Sequence, residues 1–131
     1  MLSVPSSHHD LLTDEKRALA FLGTVMADGS PQVTPVWFNT DEEFFYINTA
    51  RGRVKDRNLR ARPAVALTIS DPHDSYRYIQ VRGQVAEFVE EGAKEHMDKL
   101  SHKYENKPWN LPPGQVRVIF KIRPEKITTH E

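Results

Sequence analysis

Six of the twelve residues from Arg51 to Arg62 are basic and one is acidic, although the whole chain carries 18 Lys+Arg against 18 Asp+Glu. A positive segment is therefore set in an acidic body, and the chemistry such a segment serves is the binding of an anion. Gly52 near its start and Pro63 after its end bound a short predicted helix. Arg53 and Lys55 fall in its first turn, where free backbone donors and the positive end of the helix dipole add to their own charge, so a phosphate fits there. The other reading open at this point is a charged surface helix paired with the acidic body. At about 100° per residue, Arg51, Lys55 and Arg62 gather on one side, and Arg53, Arg57 and Arg60 on the opposite side.

A second candidate is the strand segment Thr34-Pro35-Val36-Trp37-Phe38, which offers a flat aromatic and backbone polar groups around a proline. Pro35 has no backbone donor, which predicts an edge strand or a place where the ladder opens to admit a planar ligand. In isolation Trp37 and Phe38 equally suit a core. Tyr76–Gly83 alternates aromatic and basic groups and could present Arg77, Tyr78 or Arg82 to a ligand or a second subunit. The six histidines lack ligand spacing: His8 and His9 are adjacent, His73 and His130 are isolated, and His96 and His102 point to different sides of a helix. There is no His-Glu-x-x-His, Gly-x-Ser-x-Gly, phosphate-loop or Gly-x-Gly-x-x-Gly sequence, so zinc hydrolase, serine hydrolase and Rossmann readings lose their support. With no cysteine, thiolate catalysis, disulfides and cysteine-ligated metals are excluded. Metal ligation is accordingly not expected, and these motifs single out no catalytic side chain.

The elements that must position these groups follow from pattern. Residues 1–9 read as a frayed, flexible tail, and Asp10 or Thr13 caps a helix running to about Ala18. Strands are predicted over Ala20–Ala27, Gln32–Asn39, Phe44–Thr49, Val65–Ser70, Tyr76–Val89 with a bend at Gly83, and Gln115–Thr128. Asp28-Gly29-Ser30-Pro31 marks a hairpin turn. A second helix spans about Glu90 to Lys103, and 106–114 is a loop. Six strands with early hairpins, two or three short helices and no βαβ repeat predict a mainly β single domain over 1–131, a small antiparallel barrel or sandwich with helices at its ends. At 131 residues the chain supports one modest core and no deep private cavity, so a large ligand calls for a second subunit. Zero net charge argues against a nucleic-acid partner. No apolar run approaches the ~20 residues of a membrane span and no signal peptide precedes the fold, which predicts a cytoplasmic protein with no membrane partner.

Over roughly residues 15–127 the order of parts resembles the flavin- and deazaflavin-binding split β-barrels related to pyridoxamine 5′-phosphate oxidase. The resemblance rests on four blocks: Phe21-Leu22-Gly23-Thr24; Gly29 through Trp37; Asn48 through Arg60; and Asp71-Pro72 followed by Tyr76-Arg77-Tyr78 and Val81-Arg82-Gly83. Gly52-Arg53-Val54-Lys55-Asp56-Arg57-Asn58-Leu59-Arg60 is similar to the branch that uses the deazaflavin coenzyme F-420 in place of FMN. That branch usually continues Arg-Asp-Pro-Arg, whereas Ala61-Arg62-Pro63-Ala64 stands here.

The resemblance implies a six-stranded split barrel, homodimeric, with the cofactor at the subunit interface. It implies that Arg53 and Lys55 hold the cofactor phosphate, with Thr49, Ala50, Val54 and Asn58 nearby, and that Thr34, Pro35, Val36 and Trp37 cradle the ring edge. Tyr78, Arg82 or Trp109 of the opposite subunit would close the site. The implied reaction is hydride transfer from reduced F-420 to a small conjugated substrate, with the proton supplied by Tyr78, a histidine or water. The spare arginines of 51–62 would serve the coenzyme's anionic tail. Rival readings are an FMN-dependent oxidase on the same fold, which would leave Arg57, Arg60 and Arg62 idle, and a non-catalytic cofactor- or tetrapyrrole-binding barrel.

Overall fold

The Asp28-Gly29-Ser30 turn starts the sheet. The Asp28 carboxylate accepts the Ser30 backbone N–H at 3.0 Å and its hydroxyl at 2.6 Å, and Gly29 takes a left-handed conformation (φ 88°) that a side chain resists. It joins β1 (Ala20–Val25) to β2 (Pro31–Val36); then follow β3 (Asn39–Thr40), β4 (Phe45–Ala50), α1 (Val54–Ala61), β5 (Ala64–Asp71), β6 (Asp74–Val89), α2 (Ala93–Glu105) and β7 (Arg117–His130). The computed structural model describes residues 2–131.

The strands form one antiparallel sheet in the order β2-β1-β5-β6-β7-β4-β3. Its two edges, β2 and β3, are consecutive in sequence and separated only by Trp37 and Phe38. That link reaches at most about 11 Å, so the sheet must curl until its edges stand side by side. The result is a barrel that stays open along one seam. Inside lie Leu22, Phe45, Ile47, Leu67, Ile69, Ile79, Val81, Phe120 and Ile122, each at most 1% exposed. The alternating burial of β1 and β5 is the strand period expressed as an inner and an outer face.

Seven strands replace the expected six, and the reason lies at Phe38. The expected strand Gln32–Asn39 stops at Val36 because the Phe38 backbone is taken over by side chains from α2. The Lys103 Nζ donates to the Phe38 carbonyl at 2.8 Å, and the Tyr104 hydroxyl meets the Phe38 amide at 3.3 Å. Pairing resumes with Asn39 opposite Tyr46, which gives the additional β3. Pro35 does sit on an edge strand, opposite Phe21 of β1.

The expected frayed tail and the helix to Ala18 are both corrected. Residues Ser6–Leu12 form a 3₁₀ helix that ends before Thr13, and Val4, His8 and Leu11 are buried. His8 Nε2 bonds the His130 carbonyl at 3.0 Å, and Arg77 clamps Asp10 and Asp71, so this segment closes one end of the barrel. At the bend in β6, a β-carbon on Gly83 would collide with the Arg123 carbonyl oxygen, and the β6–β7 register shifts at that residue. Glycine is required there by contact with β7.

Candidate functional site

The barrel's seam holds a cleft of about 340 Å³, within the size range of small-ligand sites. Pro35, Val36 and Trp37 form one wall from the β2 edge; Asn48 and Thr49 at the end of β4 and Arg117 at the start of β7 form the other. Arg53 and Lys55 reach in from the start of α1, and Leu19, Met97 and Leu100 supply the apolar lining. The register explains the convergence: Ala50 pairs with Arg117 and Thr49 with Val118, so the chain leaves β4 for α1 beside the first residue of β7.

Trp37 is held flat by the Tyr104 ring, at 5.2 Å between centroids and 8° between planes. Tyr104 is fixed in turn by its hydroxyl, which donates to the Ala18 carbonyl at 2.6 Å. The wall is thus preset for a planar group by α2 rather than by the sheet.

The opposite side is strongly positive. Arg117 is 7% exposed, yet its Nε donates to Asn48 Oδ1 at 2.9 Å, an Nη to Gln115 Oε1 at 2.9 Å, the other Nη to the Met97 sulfur at 3.5 Å, and its guanidinium lies 5.1 Å from the Trp109 ring centre. All four neighbours are uncharged. Burial, with Arg53 close by, lowers the Arg117 pKa to about 10. Burial lowers Lys55 as well, with smaller contributions from Arg53 and Arg117. None of Arg53, Lys55 and Arg117 makes a salt bridge among the described residues, although ten ion pairs form elsewhere. Beside them Thr49 is 1% exposed and its hydroxyl has no partner among the described residues, an exception to the usual satisfaction of buried polar groups.

Of the residues expected at a cofactor site, Pro35, Val36, Trp37, Thr49, Arg53 and Lys55 come together in this cleft. Ala50 and Val54 flank it without lining it; the Ala50 carbonyl accepts the Arg53 N–H at 3.3 Å and fixes the turn. Thr34 pairs with Leu22 on β2 outside the cleft. Asn58 turns the other way: it is 4% exposed, donates to the Thr24 hydroxyl at 3.0 Å and accepts from Arg62 at 3.3 Å, which ties α1 to β1. Tyr78 stacks on His130 and Arg82 lines a separate groove, both away from the cleft of their own chain. Trp109 lies against Arg117 of the same chain, and so is near the cleft without needing a second subunit.

The arginines of 51–62 that the resemblance assigns to a ligand tail make contacts within the chain and do not line the cleft. Arg51 pairs with Glu90 at 2.8 Å, Arg60 with Asp56 at 2.8 Å, Arg57 donates to the Gly52 carbonyl and Arg62 to the Val25 carbonyl. Of these contacts, the one from Arg62 ties the end of α1 to β1. Sequence reasoning also missed Leu19, Asn48, Met97, Leu100 and Arg117 as lining residues. Met97 and Leu100 have the helical spacing of core residues. Arg117 is one of four basic residues of β7, with Lys121, Arg123 and Lys126, and nothing local singles it out.

A planar wall beside a buried arginine and two more accessible cations, on a barrel split along one seam, suits a flavin- or deazaflavin-type oxidoreductase. Residues 8–131 match the family model described as pyridoxamine 5′-phosphate oxidase, and the chain belongs to that family. A solved structure described as F-420 reductase is 37% identical, with a TM-score of 0.84, covering 95% of this chain and 98% of its own. The General Stress Protein 26 of Bacillus anthracis str. Sterne is 25% identical (TM-score 0.69, 94% of each chain). HupZ of Group A Streptococcus, 21% identical with a TM-score of 0.71 over 96% of this chain and 93% of its own, shares the fold. No curated protein matches the sequence.

Proposed function

We propose that the protein is a reductase that uses the deazaflavin coenzyme F-420 as hydride donor to a small conjugated organic substrate. The observation that carries the reading is the meeting of Arg53 and Lys55, both free of carboxylates, with the orphaned Thr49 hydroxyl next to the Trp37 wall. Two cations and a buried hydroxyl without partners are a set of groups that an anionic oxygen would satisfy. An FMN phosphate would satisfy them too; the 37% identity to the F-420 reductase favours the deazaflavin.

Reduced F-420, when bound, supplies the hydride, and its ring favours two-electron transfer over reaction with oxygen. The protein's part is placement. Arg53 and Lys55 would hold the phosphate, and Thr49 would donate its hydroxyl proton to the same group. Pro35, Val36 and Trp37 would fix the ring edge, with Tyr104 preventing Trp37 from turning. Leu19, Met97 and Leu100 keep water from the buried side of the cleft, which strengthens each charge-assisted contact there.

The cleft is small for a ring with a polyanionic tail, and a homodimer would complete it. Tyr78 and Arg82, which face away from their own chain's cleft, are then available to the partner's. An apolar groove lined by Gly23, Val25, Pro31, Val33, Ala64 and Ala66 supports such a contact, with Val33 63% exposed.

The test is turnover: the protein is mixed with reduced F-420 and a panel of quinones, furanones, nitro compounds and tetrapyrroles, and coenzyme oxidation is followed. Acceptor-dependent oxidation that is lost in Lys55→Ala is expected. A protein that is yellow as purified, carries FMN and ignores reduced F-420 would overturn the reading in favour of the flavin oxidase.

A further inference from the structure

Arg117 is the most buried of the cleft's cations, and a chain of polar side chains dictates how it is aimed. Asn48 stands between it and α2. Its Nδ2 donates to the Ala93 carbonyl at 2.8 Å and meets His96 Nδ1 at 3.0 Å, while its Oδ1 accepts from Arg117 Nε at 2.9 Å. A carbonyl can only accept and an arginine can only donate, so the Asn48 amide has one possible orientation. His96 Nδ1 must then accept, which leaves the proton on Nε2, donated to Asn39 Oδ1 at 2.8 Å. The line Asn39–His96–Asn48–Arg117 is a directed chain whose last member is a cation. Of the five guanidinium N–H groups, two bond side-chain oxygens, one points at a thioether, and two have no acceptor among the described residues.

We infer that Arg117 is an anion-binding residue of the cleft, taking a phosphoryl oxygen of the ligand, and that His96 is a positioning residue that holds Arg117 through Asn48. The naming of the ligand as F-420 rests on the function proposed above, whereas the anion chemistry rests on the residues alone. A buried arginine without a carboxylate is costly in the free protein and is repaid when an anion arrives. Arg117 is the third charge of the cleft beside Arg53 and Lys55, whereas Arg51, Arg57, Arg60 and Arg62 make contacts elsewhere and do not line it. Protonation of His96 would turn its Nδ1 into a donor facing the Asn48 amide donor and break the line. Burial opposes that protonation, as do the charges of Lys99 and Arg117, and these hold the His96 pKa at about 4. The Tyr46 ring packs edge-on against the same imidazole.

The experiment compares wild type, Arg117→Gln, His96→Leu and His96→Gln by fluorescence titration with F-420 and with its ring-and-ribityl core, which lacks phosphate and glutamates. Thermal stability with and without inorganic pyrophosphate is measured in parallel. The expected result is that Arg117→Gln weakens F-420 binding ~10- to 100-fold, the worth of a charge-assisted bond, leaves core binding unchanged, and melts no lower than wild type. His96→Leu should show a smaller loss of the same selectivity. His96→Gln, whose amide can accept from Asn48 and donate to Asn39, should restore it. Equal weakening of F-420 and core, or a lower melting temperature without any change in selectivity, would make Arg117 structural and overturn the inference. If wild type ignores F-420 but is stabilised by pyrophosphate in an Arg117-dependent way, the inference stands and the coenzyme reading falls. A wild type that neither binds F-420 nor is stabilised by pyrophosphate sinks both.

Discussion

Lys55 and Asn58 lie three positions apart in one helix and do different work. Lys55 faces the cleft without a carboxylate, while Asn58 is spent on Thr24 and Arg62. Lys55→Ala should therefore weaken F-420 binding by about 1.5–3 kcal/mol and leave the melting temperature nearly unchanged. Asn58→Ala should lower stability by about 1–3 kcal/mol and leave the affinity alone; titration and urea denaturation on both variants check the pair, and swapped effects would reverse the assignment. The basic segment and the aromatic strand could be read from residue type, because charge and planarity are properties of the residue itself. Which arginines are engaged within the chain could not be read in full, since Arg51 pairs with Glu90 and Arg62 donates to the Val25 carbonyl, both distant in sequence. His96 carries a pH signature. Its pKa is about 4 in the fold against about 6.5 unfolded, so the unfolded chain binds the extra proton between those values. Stability should be full above pH about 6.5 and fall as the pH drops toward about 4. His96→Gln should remove most of that dependence, as read by denaturation at several pH values.

The elements show where local pattern suffices and where it fails. The β1–β2 hairpin, α1 between Gly52 and Pro63, and the bend at Gly83 are each announced by residues whose backbone chemistry acts on its own neighbours. The break at Trp37–Phe38 is not, because it is made by Lys103 and Tyr104 some 65 positions away, which take the Phe38 backbone out of the ladder. The same contact stacks Tyr104 on Trp37, so one pair of residues on α2 both splits the barrel and shapes the wall of the cleft. The 3₁₀ turn at Ser6–Leu12 was equally hidden, since its anchors, Arg77 and the His130 carbonyl, come from β6 and the end of β7. Gly83→Ala tests the β6 bend. Its methyl would collide with the Arg123 carbonyl oxygen, a backbone atom that cannot swing aside. A loss of about 2–4 kcal/mol is expected by urea denaturation, and a neutral result would mean that β7 is looser than the contact implies.

At the scale of the molecule, a sheet whose edge strands are joined by two residues must nearly close on itself, and the seam it leaves is where the cleft forms. The fold thus gathers a flat aromatic from one side of the seam and cations from the other, groups that no window of sequence shows together. A chain this small leaves part of a large coenzyme uncovered, and the proposed homodimer should appear as a doubled mass in sedimentation equilibrium; a monomer that binds F-420 tightly would show that one chain is enough. The central claim is that this cleft takes an anionic deazaflavin. It is tested most directly by titrating the protein as purified with F-420 and, separately, with FMN, following fluorescence at two salt concentrations. Micromolar or tighter binding of F-420, weaker binding of FMN, and loss of F-420 affinity at the higher salt are predicted. A preference for FMN, or binding of neither, would contradict the account.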